Sequence, residues 1–348
     1  MLEKNKGRIR ITNVKNKNKA KKERKQQLRR ICKKKFLNWL KFNRKFTIII
    51  ICVVTGNEPR ILGKNEETFM RPDGTRVKEG LTPVMQALPH IMPKRYDAMN
   101  WANDYVDENI IKNYIRQKRK EGRTVTHMSL LIAAYYKAAL ENPKMNYFIM
   151  NRRIYKRNHF CVSFVILKTR ADGTPDETVV KLFLNPEDDL FTISERIRDM
   201  VDRNLKAEHN NNMDKFVNWA FSIPGLARLV FKVAYGLDQL GLLPRKIIDL
   251  SPFHTSMFIT NLASINTRFI YHHTYEFGTT SVFVCMGKPV PVPLAPEGSR
   301  KTQLPLGVVM DERIATGIEY SRFFAAFERY LRMPELLETR LDGQTGSM

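Results

Sequence analysis

The pattern of apolar positions changes character near residue 70. Before it, residues 1–45 are low in complexity and poor in apolar side chains ahead of Ile31; after it, apolar positions recur at helical and strand spacings. Across 107–121 (DENIIKNYIRQKRKE), Ile110, Ile111, Tyr114 and Ile115 share one helical face, with acids first and bases last, which suits the helix dipole. Residues 126–142 (THMSLLIAAYYKAALEN) are apolar on most sides and stop at Pro143, which predicts a helix buried against a sheet. Strand-like runs follow at 147–155, 159–168 and 178–184, the last two joined by a turn at Asp172–Gly173.

Thr192-x-x-Glu195 reads as a capping box that opens a helix running to about 208, and Asn210–Asn212 reads as a loop. An apolar helical stretch spans 213–242, interrupted at Pro224–Gly225 and closed by Gly241. The last third alternates again, with strands expected at 255–262, 281–287 and 305–310. A Pro-rich loop is expected at 289–296 and a final helix at 317–332. Helices mixed with antiparallel hairpins predict an α+β two-layer sandwich with a mixed sheet. The expected organisation is a basic extension over 1–69, one domain over 70–340 and a short tail over 341–348.

Charge adds one correction to a naive reading. The chain carries a formal +24, but residues 1–45 hold 19 of its 59 Lys and Arg against two acids, Glu3 and Glu23. Any argument from basicity to nucleic acid or anionic membrane therefore concerns that segment, where Phe36, Trp39, Leu40 and Phe42 add an apolar edge. A segment of no function is the competing reading. The four cysteines (Cys32, Cys52, Cys161, Cys285) form no C-x-x-C pair, so neither a disulfide framework nor a metal site is expected. The longest apolar run, Phe46 to Thr55, is about half the roughly 20 residues needed to span a bilayer, so a soluble protein is expected, and the cysteine pattern suits a reducing, cytoplasmic home.

Three stretches carry a resemblance. TVTHMSLLIAAYYKAALENPKMN (124–146), MFITNLASI (257–265) with FGTTSVFVCMG (277–287), and VVMDERIATGIEYSRFFAAFERYLRMPELL (308–337) occur in that order. Together they resemble the catalytic domain of the acyltransferase subunit of 2-oxo acid dehydrogenase complexes and its relative chloramphenicol acetyltransferase. The resemblance implies the chloramphenicol acetyltransferase-like sandwich, usually a homotrimer with the active site between subunits. It also implies a small-molecule acyl thioester as substrate, with coenzyme A or acyl-CoA as co-substrate and no covalently bound cofactor. No lipoyl-domain signature is present in this sequence, so a complete swinging-arm subunit is not expected.

The family's D-H-R-[hydrophobic]-x-D-G motif falls on Asp311, Glu312, Arg313, Ile314, Ala315, Thr316 and Gly317. Its histidine is replaced by Glu312 and its second aspartate by Thr316. The family's oxyanion-binding hydroxyl falls on Thr260, followed by Asn261 in the I-T-N-L frame. A hydroxyl aimed at developing negative charge is what acyl transfer requires. A carboxylate near 4.3 is a weak base for a thiol near 8.5, although burial raises such a group by several units. If Glu312 pairs with Arg313, base catalysis is lost; a solvated turn carboxylate is the bland alternative.

His254 is the other candidate base, against the reading of a turn or core histidine bonded locally. His272 and His273 read as an exposed loop pair. Two functions stay open: an acyltransferase using Glu312 or a recruited histidine with Thr260, and a non-catalytic relative that binds an acyl or CoA ligand or assembles with partners.

Overall fold

The computed structural model describes residues 71–169, 173–206, 222, 225–293 and 301–340. In chain order the elements are β1 (Gly74–Arg76), α1 (Pro83–Ile91), β2 (Met99–Asp107), α2 (Glu108–Lys120), α3 (His127–Glu141), β3 (Tyr147–Met150), β4 (Arg153–Arg157), β5 (Phe160–Thr169) and β6 (Pro175–Leu184). They continue with α4 (Leu190–Lys206), α5 (Leu226–Gln239), α6 (Arg245–Leu250), β7 (Met257–Asn261), β8 (Val282–Met286), β9 (Val290–Pro291), β10 (Thr302–Asp311) and α7 (Gly317–Arg332).

The main sheet has the order β2-β10-β8-β7-β5-β6, with β9 pairing the start of β10. Strands β5, β7 and β8 are mutually parallel, while β2 and β6 run antiparallel to their neighbours. A separate sheet of order β1-β4-β3 completes the fold. The α+β mixed-sheet sandwich expected from the sequence is the architecture observed.

Alternation along each strand decides which face is covered. Val162, Phe164, Met257, Ile259, Val282, Val284, Val308 and Met310 face a core shared with α3, α4 and α7. Helix α3 lies at its centre: Leu130 to Ala134 are fully buried, and Thr126 caps the helix by accepting from Ser129 N. The opposite face carries Phe258, Phe283 and Val309 as a smaller cluster.

Residues 266–280 run over that second face as a strap. Ile270 N donates to Cys285 Sγ (3.5 Å), Thr274 N to Met99 Sδ (3.4 Å), and the His272 ring stacks on Phe283 at 4.3 Å. Glycines make the approach possible. A Cβ on Gly307 would stand 2.5 Å from the Phe269 ring, and one on Gly287 2.4 Å from Phe269 N. Beyond the strap the face is open, with Trp101 and Tyr105 exposed on β2 and Leu167 and Val179 exposed on β5 and β6.

Several expectations need correction. The run 147–155 is two strands, because Asn151 and Arg152 adopt left-handed backbone (φ 47 and 57) and turn the chain. The cap of α4 is Asp189, whose carboxylate accepts from Thr192 N (2.7 Å), three residues ahead of the expected box. Part of the 289–296 loop pairs with β10 as β9. His272 is half-buried rather than an exposed loop residue, since stacking on Phe283 removes one ring face from water. Strand β2 and helix α1 were not anticipated. Residues 1–70, the Asn210–Asn212 loop, most of the 213–224 stretch and the tail over 341–348 lie outside the described residues. Among the described residues, no helix is long and apolar enough to cross a membrane.

Candidate functional site

Strand β10 ends at Asp311, whose N–H donates to Ser281 O (2.9 Å), and Glu312 N then donates to Ala98 O (2.8 Å). These two bonds anchor the turn to the strands on either side. Asp311 and Arg313 are both buried and form a bidentate pair, Nε to Oδ1 at 2.8 Å and Nη2 to Oδ2 at 2.7 Å. Arg313 Nη1 donates to Met92 O (2.9 Å), and the Tyr320 hydroxyl donates to Asp311 O (2.6 Å). Arg313 is thus fully engaged by Asp311.

Glu312 is left half-buried between them, with no hydrogen bond or ion pair to its carboxylate among the described residues. Burial, Asp311 and Tyr135 hold the Tyr320 phenol well above its ordinary value, and the Glu312 charge adds to them. Thr316 and Gly317 open α7. The Thr316 N–H and hydroxyl both donate to the Glu319 carboxylate, at 2.8 and 3.1 Å, and Tyr320 N donates to Thr316 O. Threonine at this position therefore serves the helix terminus. A Cβ on Gly317 would meet nothing within 4 Å, so the chain itself leaves open space beside it.

Thr260 lies on β7, paired with Cys285 of β8 and on the face that carries Phe258. Its Oγ1 is shut off from solvent and has no partner among the described residues. An unpaired buried hydroxyl costs about 1–3 kcal/mol. Asn261 closes the strand: its Oδ1 accepts from Ser264 N (3.2 Å) and shapes the turn over Leu262–Ile265.

One chain does not bring Thr260 and Glu312 together. The register places Thr260 level with Cys285 and Gly307, five positions along β10 from Glu312. At about 3.3 Å per residue and about 4.8 Å per strand the two lie roughly 19 Å apart. His254 joins neither. It is fully buried, with Nδ1 at 2.8 Å from Ser251 Oγ and Nε2 at 3.1 Å from Asp238 Oδ2. Asp238 also holds Arg71 (2.7 Å), and Arg71 holds Asp73 (2.9 Å). The ring is part of a paired core cluster, the local-bonding alternative of the sequence reading.

Sequence reasoning missed Arg95. It sits between α1 and β2 and is 3% exposed; its guanidinium donates to Thr280 O, Gly278 O and Ile149 O at 2.7 to 2.9 Å. A lone P-K-R in a loop has no spacing signal that would reveal it.

No family model matches the chain, and no curated protein matches it. Solved structures do resemble it. A probable dihydrolipoamide acetyltransferase from Listeria monocytogenes is 14% identical, covering 78% of this chain and 97% of that one at a TM-score of 0.46. The dihydrolipoamide acetyltransferase of Azotobacter vinelandii is 11% identical, covering 80% and 99% at 0.48. A chloramphenicol acetyltransferase is 13% identical, covering 74% and 99% at 0.45.

Proposed function

We propose that the chain is an acyltransferase acting on CoA-type thioesters, with Glu312 as general base and Thr260 as oxyanion donor. The observation that carries the reading is a pair of unused groups on the two motifs. The Glu312 carboxylate is unpaired because Arg313 belongs to Asp311, and the Thr260 hydroxyl is buried without a partner.

The separation within one chain means that a working site joins Glu312 of one copy to Thr260 of another. A homotrimer is the arrangement we propose, and its interfaces would cover the exposed Trp101 and Tyr105 edge. In the reaction, Glu312 takes the proton of the attacking acceptor as its heteroatom bonds to the thioester carbonyl carbon. The carbonyl oxygen becomes an oxyanion and accepts a hydrogen bond from Thr260 Oγ1. Collapse breaks the C–S bond, and the proton passes from Glu312 to the departing sulfur. Because Thr260 Oγ1 is sealed, the carbonyl reaches it only after its cover shifts.

If the acceptor is a thiol, full proton transfer to an ordinary carboxylate is uphill by about 6 kcal/mol. Transfer concerted with attack, in a site closed to water between copies, lowers that cost. The test is thiol release from acetyl-CoA and longer acyl-CoAs by the wild type and by Glu312→Gln. Turnover that collapses in the variant supports the reading. A folded protein that turns over no acyl-CoA with any acceptor supports the second reading, an acyl- or CoA-binding or assembly protein.

A further inference from the structure

We infer that a cavity behind the Asp311–Arg313 turn is a binding site for a small oxyanion, the carboxylate or phosphate group of a compact ligand. The cavity has a volume of about 220 Å³, and Lys94, Arg95, Arg152, Arg313, Tyr235 and Glu276 contribute to its wall. That space is well above what a single water needs and admits phosphate or a short dicarboxylate. Four cations and one carboxylate line it, and the second nearby acid, Asp311, is consumed by Arg313.

Arg95 makes the case specific. Two buried guanidiniums stand in this wall, and only one of them has a counter-charge. Arg313 has the bidentate Asp311. Arg95 has three carbonyl oxygens, and no carboxylate lies within ion-pair distance of its guanidinium among the described residues. Glu276 faces it but accepts from the Arg95 backbone N–H (2.9 Å). Burial, the largest influence, pulls the Arg95 guanidinium below its ordinary value, while Asp311, Glu276 and Asp238 act against that from a distance. A buried cation without an acid partner is costly, and an anion in the adjacent cavity supplies what the protein omits.

The rim is held in place independently. Arg152 is exposed and sits in left-handed backbone beside Asn151, whose N–H donates to Gln239 Oε1 (3.0 Å) and ties the hairpin to α5. Positive φ at both positions is the ordinary geometry of a two-residue hairpin turn and fixes where Arg152 leaves the backbone. Lys94 is exposed on the facing loop, with its ammonium 5.6 Å from the Tyr96 ring. The phenol of Tyr235, pushed up by burial and then by Glu276, stays protonated as a donor. The site is independent of acyl transfer and stands whether or not the chain turns over thioesters.

The experiment is titration calorimetry on the full chain in phosphate-free buffer, with inorganic phosphate and succinate as separate probes and chloride holding ionic strength constant. The variants are Lys94→Gln with Arg152→Asn, chosen because both residues are exposed and asparagine tolerates the left-handed backbone. Arg119→Gln with Lys120→Gln on α2 is the charge-matched control. Saturable one-to-one binding of at least one probe at about 1 mM or tighter is expected. Binding should weaken about tenfold in the rim variant and stay unchanged in the control. Tighter phosphate binding assigns a phosphate site, and tighter succinate binding assigns a carboxylate site. Absence of saturable binding, or equal affinity in the rim variant, overturns the inference; the latter result would move the anion to another basic region such as residues 1–45.

Discussion

Two polar regions of this molecule differ in how completely their groups are paired. Behind β7, Arg71, Asp73, Asp238, His254 and Ser251 form a chain of contacts between 2.7 and 3.1 Å that leaves neither ring nitrogen of His254 free. At the end of β10 and on the second face of the sheet, Glu312 and Thr260 hold chemically competent groups that bond to nothing described. Saturated networks contribute to the fold; the buried Thr260 hydroxyl is left unsatisfied at a cost to stability, while the half-buried Glu312 carboxylate stays open to water. His254 thus belongs to the first region, and Thr260 and Glu312 lie outside it.

The sharpest way to break the comparison is to open the first region. Asp238→Ala strips Arg71 and His254 of a buried partner and should cost about 3–5 kcal/mol in urea unfolding. A loss near zero would show that this cluster is no more structural than the turn.

Thr260→Val should behave in the opposite way. Valine has nearly the same shape and removes an unpaired buried hydroxyl, so stability should hold or rise by about 1 kcal/mol. Thioester turnover in the same protein should fall by about 10²–10³-fold. A destabilised variant with intact turnover would reverse the assignment.

A smaller effect comes from pH. Burial pushes the Asp73 and Asp238 carboxyls up, but Arg71 acting on both, and His254 hydrogen-bonded to Asp238, outweigh it and hold them below the ordinary value. Their stabilisation is therefore fully present above the unfolded value of about 4 and is lost as pH falls through the lower folded values. Urea midpoints should be steady from about pH 5 upward and drop below about pH 4. Asp238→Asn should flatten that drop.

What the sequence disclosed follows the same division. Helix α3 was legible because Thr126, a run of buried apolar residues and Pro143 all agree, and β5–β6 because two runs rich in β-branched and aromatic residues flank Gly173. The β3–β4 hairpin was hidden because Asn151–Arg152 turns without glycine. Strand β2 was hidden because Asn100 and Asp104 break its alternation, although all nine of its residues pair with β10. Glu312 and Thr260 could be singled out because each sits inside a contiguous motif. The cavity beside Arg95 could not, because its wall is assembled from five separate stretches, at 93–95, 149–152, 235–239, 276 and 313.

The central claim is that the unpaired Glu312 carboxylate moves the proton in acyl transfer. The most direct measurement is the rate of thiol release from acyl-CoA by the wild type and by folded Glu312→Gln, each checked for unchanged unfolding stability. The account predicts a loss of about 10²–10⁴-fold in kcat with stability intact. Turnover that survives the substitution at the wild-type rate would contradict it.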